Sequence, residues 1–367
     1  MHVAIVCRGL GGGGSVAAVA LRQARELLRH GRVTLVSDSL PEEGGGAAGV
    51  LVRVRDLHWL RRFRHAPDEI LFARAARKAL RALPAVDFVL CHSHALAYLA
   101  ARPLGVPFGL LVHGDISDRP AGTYDPRLTA FYRWVTPRSY RAADVVFVLA
   151  PFFVALAQRG GARKIEILPN GIDPAAIGGL PDRISHTRKD GEPLRILFVG
   201  RLSVEKGLTY LLDACAMLEG QVPYELTIVG GGPLEAEVRA RLTARTRFTG
   251  VVPRAHLGAV YGDHDVFCTP ALSEPFATVI LEALVSGLPV IGTRVGGIPD
   301  VVEEGRNGLL VPPADAPALA GAISRLALDE PLRASMAGRA RASVLPRLAW
   351  DSIGDRLAEA IRRVIAR

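Results

Sequence analysis

Ile196-Leu197-Phe198-Val199-Gly200-Arg201-Leu202-Ser203-Val204-Glu205-Lys206-Gly207 reads as an apolar strand that runs into a glycine and charged loop and opens a helix. The same alternation recurs along the chain. In the first half, strands are expected at Val3–Val6, Val33–Val36, Leu51–Val54, Phe88–Leu90, Phe108–Val112, Val145–Leu149 and Ile165–Leu168. In the second half, Leu226–Val229, Val266–Cys268, Pro289–Ile291 and Leu309–Val311 join Ile196–Val199. Short apolar runs alternating with helical patterns are what parallel sheets require, because each parallel connection crosses over the sheet, usually through a helix. The expected fold class is therefore α/β, with two Rossmann-like doubly wound parallel-sheet domains.

A chain of 367 residues is too long for one core and suits two. Pro169-Asn170-Gly171-Ile172-Asp173-Pro174 and the polar, Gly-rich stretch up to Pro193 form a linker by composition. The expected domains are 1–170 and 171–346, followed by a returning C-terminal segment, 347–367. That segment carries a helix from Trp350 to Ile365 with Ile353, Leu357, Ala360, Ile361 and Val364 on one face. Ligands of open parallel sheets bind outside the strand C-termini, so the cleft between two such domains is the expected site.

Composition narrows the class further. No apolar run is long enough to span a bilayer, and Met1-His2-Val3-Ala4-Ile5-Val6 reads as a buried strand rather than a charged leader. A cytoplasmic protein is expected, with Cys7, Cys91, Cys215 and Cys268 reduced and buried, and no metal site. Residues 1–170 hold 23 Lys+Arg against 13 Asp+Glu, a net +10, while the remainder holds 22 against 23, a net −1. A basic first half suggests an anionic surface or acceptor there. Arginine outnumbers lysine 41 to 4, so single arginines carry little meaning, whereas Lys206 stands out.

Ser273-Glu274-Pro275-Phe276-Ala277-Thr278-Val279-Ile280-Leu281-Glu282-Ala283-Leu284 places two carboxylates eight residues apart across a helix entry. Pro275 and Phe276 favour a turn, leaving Glu274 on the loop and Glu282 on the second helical turn. The free N–H groups near Phe276 to Thr278 offer a seat for a phosphate. Carboxylates for sugar hydroxyls beside an anion seat suggest a sugar-nucleotide site. Arg201, as a fork, and Lys206, as a point charge, converge on a diphosphate in the same reading, although alone they would read as a solvated helix entrance.

Three features of the first half remain open on residues alone. Gly9-Leu10-Gly11-Gly12-Gly13-Gly14-Ser15 either lets backbone approach a phosphate or sugar or is a tight turn. Its nearest following acid, Asp38, lies late for a dinucleotide fingerprint, so no redox cofactor is expected. His113 ends an apolar strand and either enters the site or sits at the surface, while His92 and His94 read as structural or rim residues. Asp68 to Leu83 reads as a helix with Arg74, Arg77, Lys78 and Arg81 in one stripe and Phe72, Ala76, Leu80 and Leu83 on another face. With Trp59-Leu60-Arg61-Arg62-Phe63-Arg64 before it, this suits anionic lipid or a phosphorylated acceptor, or is a solvated outer face.

Nearly the whole chain resembles a retaining glycosyltransferase of family 4, of the GT-B type. The blocks that carry the resemblance are the Gly-rich first loop, His113, Asn170-Gly171-Ile172-Asp173, Gly200-Arg201 with Lys206, and Val229-Gly230-Gly231-Gly232-Pro233-Leu234. Phe248-Thr249-Gly250, the Glu274 to Gly287 block, Gly296-Gly297-Ile298-Pro299-Asp300 and Asn307-Gly308-Leu309-Leu310 complete it. The resemblance implies an acceptor-binding first domain and a second domain that binds a UDP- or GDP-sugar. It implies that Arg201 and Lys206 hold the diphosphate, with Gly200 beside them, and that Glu282 bonds the ribose. Glu274, Phe276, Ala277 and Thr278 would face donor sugar and phosphates. Thr249, Gly250 and Val251 would meet the base, His113 the donor sugar, and Gly13 and Gly14 the phosphates. It further implies retention without a metal, no cofactor beyond the donor substrate, and a glycan, lipid-linked or small-molecule acceptor. No nucleic acid partner is expected. Ala277 stands where many relatives have glycine.

Two other functions fit the fold. Sugar-nucleotide 2-epimerases share it but lack this Arg201–Lys206 and Glu274–Glu282 arrangement, and a non-catalytic nucleotide-sugar binding protein would not need Arg201, Lys206 and Glu274 intact.

Overall fold

A computed structural model of the protein describes residues 1–12, 15–40, 48–51, 66–114, 126–179, 191–276 and 278–367. The chain divides into two compact units, Met1–Asn170 with Trp350–Arg367, and Gly171–Ala349.

The first unit is built on a seven-stranded sheet in the order β3-β2-β1-β4-β5-β6-β7. The strands are β1 (His2–Val6), β2 (Arg32–Ser37), β3 (Ala48–Leu51), β4 (Phe88–Cys91), β5 (Phe108–Val112), β6 (Val145–Val148) and β7 (Ile165–Ile167). Every pairing is parallel, with Val6 set against Val36 on one side and Cys91 on the other. Residues of β1, β4, β5 and β6 are buried throughout, the signature of a sheet covered on both faces. The helix Trp350–Ile365 adds its apolar face, Ile353, Leu357, Ala360, Ile361 and Val364, to this core. It packs on the helix Ser15–Leu27 so closely that a Cβ on Gly354 would lie 2.3 Å from the Glu26 Cβ. Arg356 donates to the Ile167 carbonyl at 2.7 Å, and Arg363 pairs with Glu166 at 2.8 Å.

The second unit carries a six-stranded parallel sheet in the order β10-β9-β8-β11-β12-β13. Its strands are β8 (Leu194–Val199), β9 (Tyr224–Val229), β10 (Thr246–Gly250), β11 (Val266–Thr269), β12 (Val290–Thr293) and β13 (Gly308–Val311). Its core joins Ile196, Phe198, Leu226, Ile228, Cys268 and Ile291 to helical Leu208, Leu211, Leu319 and Ile323.

The structure corrects several sequence boundaries. β10 was not anticipated: Thr246-Arg247-Phe248-Thr249-Gly250 has no apolar run, because this edge strand half-buries Phe248 against the core and exposes Arg247 and Thr249. β3 runs over Ala48–Leu51 rather than Leu51–Val54, whose last three residues lie outside the described set. The helix expected over Asp68 to Leu83 spans Ala66–Ala82. The crossing back to the first unit falls at Trp350, not at 347, because the Leu348 carbonyl accepts from the Ile172 N–H at 2.8 Å within the second unit.

In both sheets the direction of winding reverses once, between β1 and β4 and between β8 and β11. At such a switch point, neighbouring loops leave toward opposite faces and open a crevice at the strand C-termini. Among the described residues, the loops there include 7–12 and 92–94 in the first unit, and 200–207 and 270–276 in the second.

Candidate functional site

In the second unit, the two loops at the switch point are locked together by backbone. The 3-10 turn Val204–Lys206 ends on Gly207, whose φ is +66°, and a Cβ there would meet the Pro270 carbonyl oxygen at 1.9 Å. Leu272 and Ser273 both donate N–H to the Glu205 carbonyl, at 2.8 and 3.3 Å. This seats Lys206 against Glu274, and the two form a direct ion pair. Glu274 is only 6% exposed. Its carbonyl accepts from the Gly297 N–H at 3.0 Å, and Gly296, at φ +52°, passes so near that a Cβ would lie 1.9 Å from that oxygen. Arg201 is exposed beside this pair in sequence, and the Gly200 N–H donates to Val229 at 3.0 Å.

Glu282 sits on the helix Thr278–Val285, as its spacing predicts, but it is buried and already engaged. Arg254 Nη2 donates to Oε1 at 2.7 Å and the Tyr261 hydroxyl to Oε2 at 3.0 Å. Burial pushes the Glu282 carboxyl above the usual carboxylate range, and the Arg254 charge with these hydrogen bonds holds the rise back. Phe276 is buried, Thr278 is half-buried and opens the helix, and Ala277 lies outside the described residues. Past the end of β9, the Gly230 N–H donates to Gly250 at 2.8 Å. Thr249 donates its hydroxyl to the Ile228 carbonyl at 3.3 Å, and Val251 is 77% exposed.

In the first unit, the first three amides of the glycine loop are spoken for. Gly9 donates to Asp38 Oδ1 at 2.7 Å, Leu10 to Ser37 Oγ at 3.3 Å, and Gly11 to the Ser39 carbonyl and hydroxyl at 3.2 Å. Arg8 adds a bond to Asp38 at 3.1 Å and one to Glu69 at 3.3 Å. Asp38, the late acidic residue of the sequence, thus anchors the loop to the end of β2. Gly13 and Gly14 lie outside the described residues.

His113 follows β5 and meets His92, which follows β4: Nδ1 of His92 is 2.9 Å from Nε2 of His113, with the rings stacked. Burial lowers the His113 pKa to about 4 and that of His92 well below its ordinary value, with the neighbouring ring adding to the latter. His94 is buried with its ring edge-on to Tyr140. On the helix Ala66–Ala82, Arg74, Lys78 and Arg81 are exposed, Arg77 is half-buried, and Phe72, Ala76 and Leu80 are in the core. Trp59 to Arg64 lie outside the described residues. All four cysteines are buried.

The structure therefore brings Lys206 to Glu274 and places Glu282 on the helix that follows in the chain. It adds Arg254, Tyr261, Ser37 and Ser39, which the sequence reading did not single out, and joins His92 to His113 and Asp38 to the glycine loop. These come from separate elements, and no periodic pattern links them. Chemically, a cation held by a buried carboxylate at a strand C-terminus suits a polyphosphate, and a buried, hydrogen-bonded carboxylate suits vicinal hydroxyls.

Comparison with known proteins agrees with this architecture. A family model described as Glycosyltransferase Family 4 matches residues 12–176, and one described as Glycosyl transferases group 1 matches residues 193–329. The 2-deoxystreptamine glucosyltransferase of Streptomyces kanamyceticus is 32% identical over 64% of this chain and 64% of its own length. This chain thus spans just under two thirds of that relative. The alpha-D-kanosaminyltransferase of the same organism is 27% identical over 73% of each chain. Among solved structures, sucrose-phosphate synthase from Thermosynechococcus elongatus superposes with a TM-score of 0.83 at 21% identity, covering 100% of this chain and 99% of the other. HepE of Anabaena in complex with UDP-glucose gives 0.76 at 20% identity, covering 99% and 100%. The fold is GT-B, and the chain belongs to the family 4 glycosyltransferases.

Proposed function

We propose that the protein transfers a sugar from a nucleoside diphosphate sugar to an acceptor hydroxyl, with retention and without a metal. The observation that carries this reading is the Lys206–Glu274 pair at the switch point of the second unit, with exposed Arg201 beside it in the chain and Glu282 on the following helix. In the reaction, the bond from the anomeric carbon to the diphosphate oxygen breaks and its electron pair leaves with the diphosphate. A new bond forms to the acceptor oxygen, whose proton passes to the departing diphosphate. Arg201 and Lys206 neutralise the departing charge. Lys206 has three donors, so it holds Glu274 and a phosphate oxygen together. Glu274 and the backbone from Phe276 to Thr278 bond the donor sugar and phosphates, Glu282 the ribose, and Thr249 to Val251 the base. His113 contacts the donor sugar from the first domain, which takes the acceptor.

The donor is a UDP- or GDP-sugar, UDP-glucose being the first to test given the likeness to HepE. The acceptor is a glycan, a lipid-linked sugar or a small molecule. The two Streptomyces relatives favour the small molecule, and the exposed basic stripe on Ala66–Ala82 favours an anionic membrane surface. The test is incubation with a panel of UDP-, GDP-, ADP- and dTDP-sugars. Slow release of free nucleotide with free sugar supports a transferase. An epimeric sugar nucleotide would replace it with a 2-epimerase, and binding without turnover, even with acceptors added, would leave a binding protein.

A further inference from the structure

Glu282 is a buried carboxylate with a bond to each oxygen. Its side chain is 4% exposed while that of its partner Arg254 is 53% exposed, so a surface cation reaches inward to a buried anion. Arg254 opens the 3-10 turn Arg254–His256, four residues after β10 ends at Gly250. One guanidinium therefore ties the loop after β10 to the helix Thr278–Val285. Tyr261, fully buried, takes the other carboxylate oxygen. Each carboxylate oxygen keeps a further lone pair as an acceptor position.

Resting on the donor reading above, we propose that Arg254 is the positioning residue of the ribose contact. Its guanidinium, bonded to Oε1 at 2.7 Å, fixes the Glu282 carboxylate in rotation for the vicinal hydroxyls of a nucleoside diphosphate. The surroundings leave this task to Arg254. Among the described residues, Arg254 and Tyr261 are the ionisable groups that bond Glu282, and the Tyr261 phenol is itself kept neutral by burial. Cys268 on β11 is a buried neutral thiol. Arg341, from the helix Glu330–Val344, spends its Nε on the Val285 carbonyl at 2.8 Å. Without Arg254, burial acts on Glu282 with only the Tyr261 hydrogen bond against it. The carboxyl then takes up a proton at higher pH and binds hydroxyls as a poorer acceptor.

The experiment is calorimetric titration of UDP and of GDP into wild type, Arg254→Met and Arg254→Lys between pH 8 and pH 5.5. Wild type should bind one of them with little change across the range. Arg254→Met should lose at least about tenfold more affinity than wild type on going to pH 5.5, one pKa unit of differential interaction. Arg254→Lys should restore most of the flat profile. Parallel profiles for wild type and Arg254→Met would overturn the role of Arg254 while leaving the donor site standing. Failure of wild type to bind either nucleotide at any pH would overturn the donor site and the ribose contact together. Thermal melts without nucleotide give a second measure. Arg254→Met should lower the melting temperature more at pH 8, where the abandoned carboxylate is charged, than at pH 5.5, and an equal loss at both would overturn the proposal.

Discussion

His92 Nδ1 stands 2.9 Å from His113 Nε2, so one proton serves two imidazoles drawn from the ends of adjacent strands. Both rings are buried enough that charging either is unfavourable, and the His113 pKa falls to about 4. A histidine whose folded pKa lies below its ordinary 6.5 stabilises the fold fully above that value. The contribution is lost as pH falls toward 4, because the unfolded chain binds the proton first.

The melting temperature of wild type should therefore fall between pH 7 and pH 4.5 by more than that of His113→Phe. The difference corresponds to at most about 3 kcal/mol. Melts of both proteins across that range provide the check, and parallel curves would show that His113 titrates normally.

Lys206→Ala and Glu274→Gln should each lower turnover at least about a hundredfold, since both act on charge that develops as the bond breaks. Their stability effects should differ. Lys206→Ala strands a buried carboxylate and should cost about 3 kcal/mol, whereas the double variant should regain part of that loss. Denaturant unfolding of the four proteins tests the pair, and strictly additive losses would contradict it.

Gly296→Ala should impair catalysis more than folding. The substitution forces a Cβ into the Glu274 carbonyl, from a backbone conformation that alanine resists, and so displaces the loop that carries Glu274. A drop in kcat of at least about tenfold, with a loss of stability near 1–3 kcal/mol, is expected. Unchanged kcat would separate Glu274 from the reaction.

Activity should persist in excess EDTA, because Arg201 and Lys206 supply the positive charge that a divalent ion would otherwise bring to the diphosphate. Loss on chelation, restored by Mg²⁺ or Mn²⁺, would reverse that assignment.

Vesicles containing anionic lipid should bind the protein at low salt and release it as ionic strength approaches about 0.15 M. Each basic residue near the surface contributes roughly 1 kcal/mol. Replacing Arg74, Arg77, Lys78 and Arg81 by glutamate should abolish sedimentation with vesicles and leave nucleotide affinity unchanged. Indifference of wild type to anionic vesicles would point to a soluble acceptor.

Local pattern was enough to read the architecture. Strands β1, β4, β5, β6 and β11 are short apolar runs buried throughout because helices cover both faces of the parallel sheets, and Phe108–Val112 is one of them. The positions of Arg201, Lys206, Glu274 and Glu282 were legible for a related reason: each lies at a fixed offset from such a strand or helix entry. Edge strand β10 was not legible, since a half-exposed strand alternates Arg247 and Thr249 with Phe248.

What tertiary structure alone decided is which of these groups touch. Lys206 and Glu274 are 68 positions apart, and Arg254 and Glu282 are 28 apart. His92 and His113 are 21 apart, and Gly9 and Asp38 are 29 apart. Those contacts depend on strand order, which places β4 beside β5 and β8 beside β11, and on glycines that let two backbones meet. Neither strand order nor close backbone approach leaves a periodic trace along the chain. The sequence by itself determined the folding units and the loops that end their strands, through burial and turn chemistry. The pairing of charges across those loops, and the anchoring of the glycine loop by Asp38, were set by how the sheets wind.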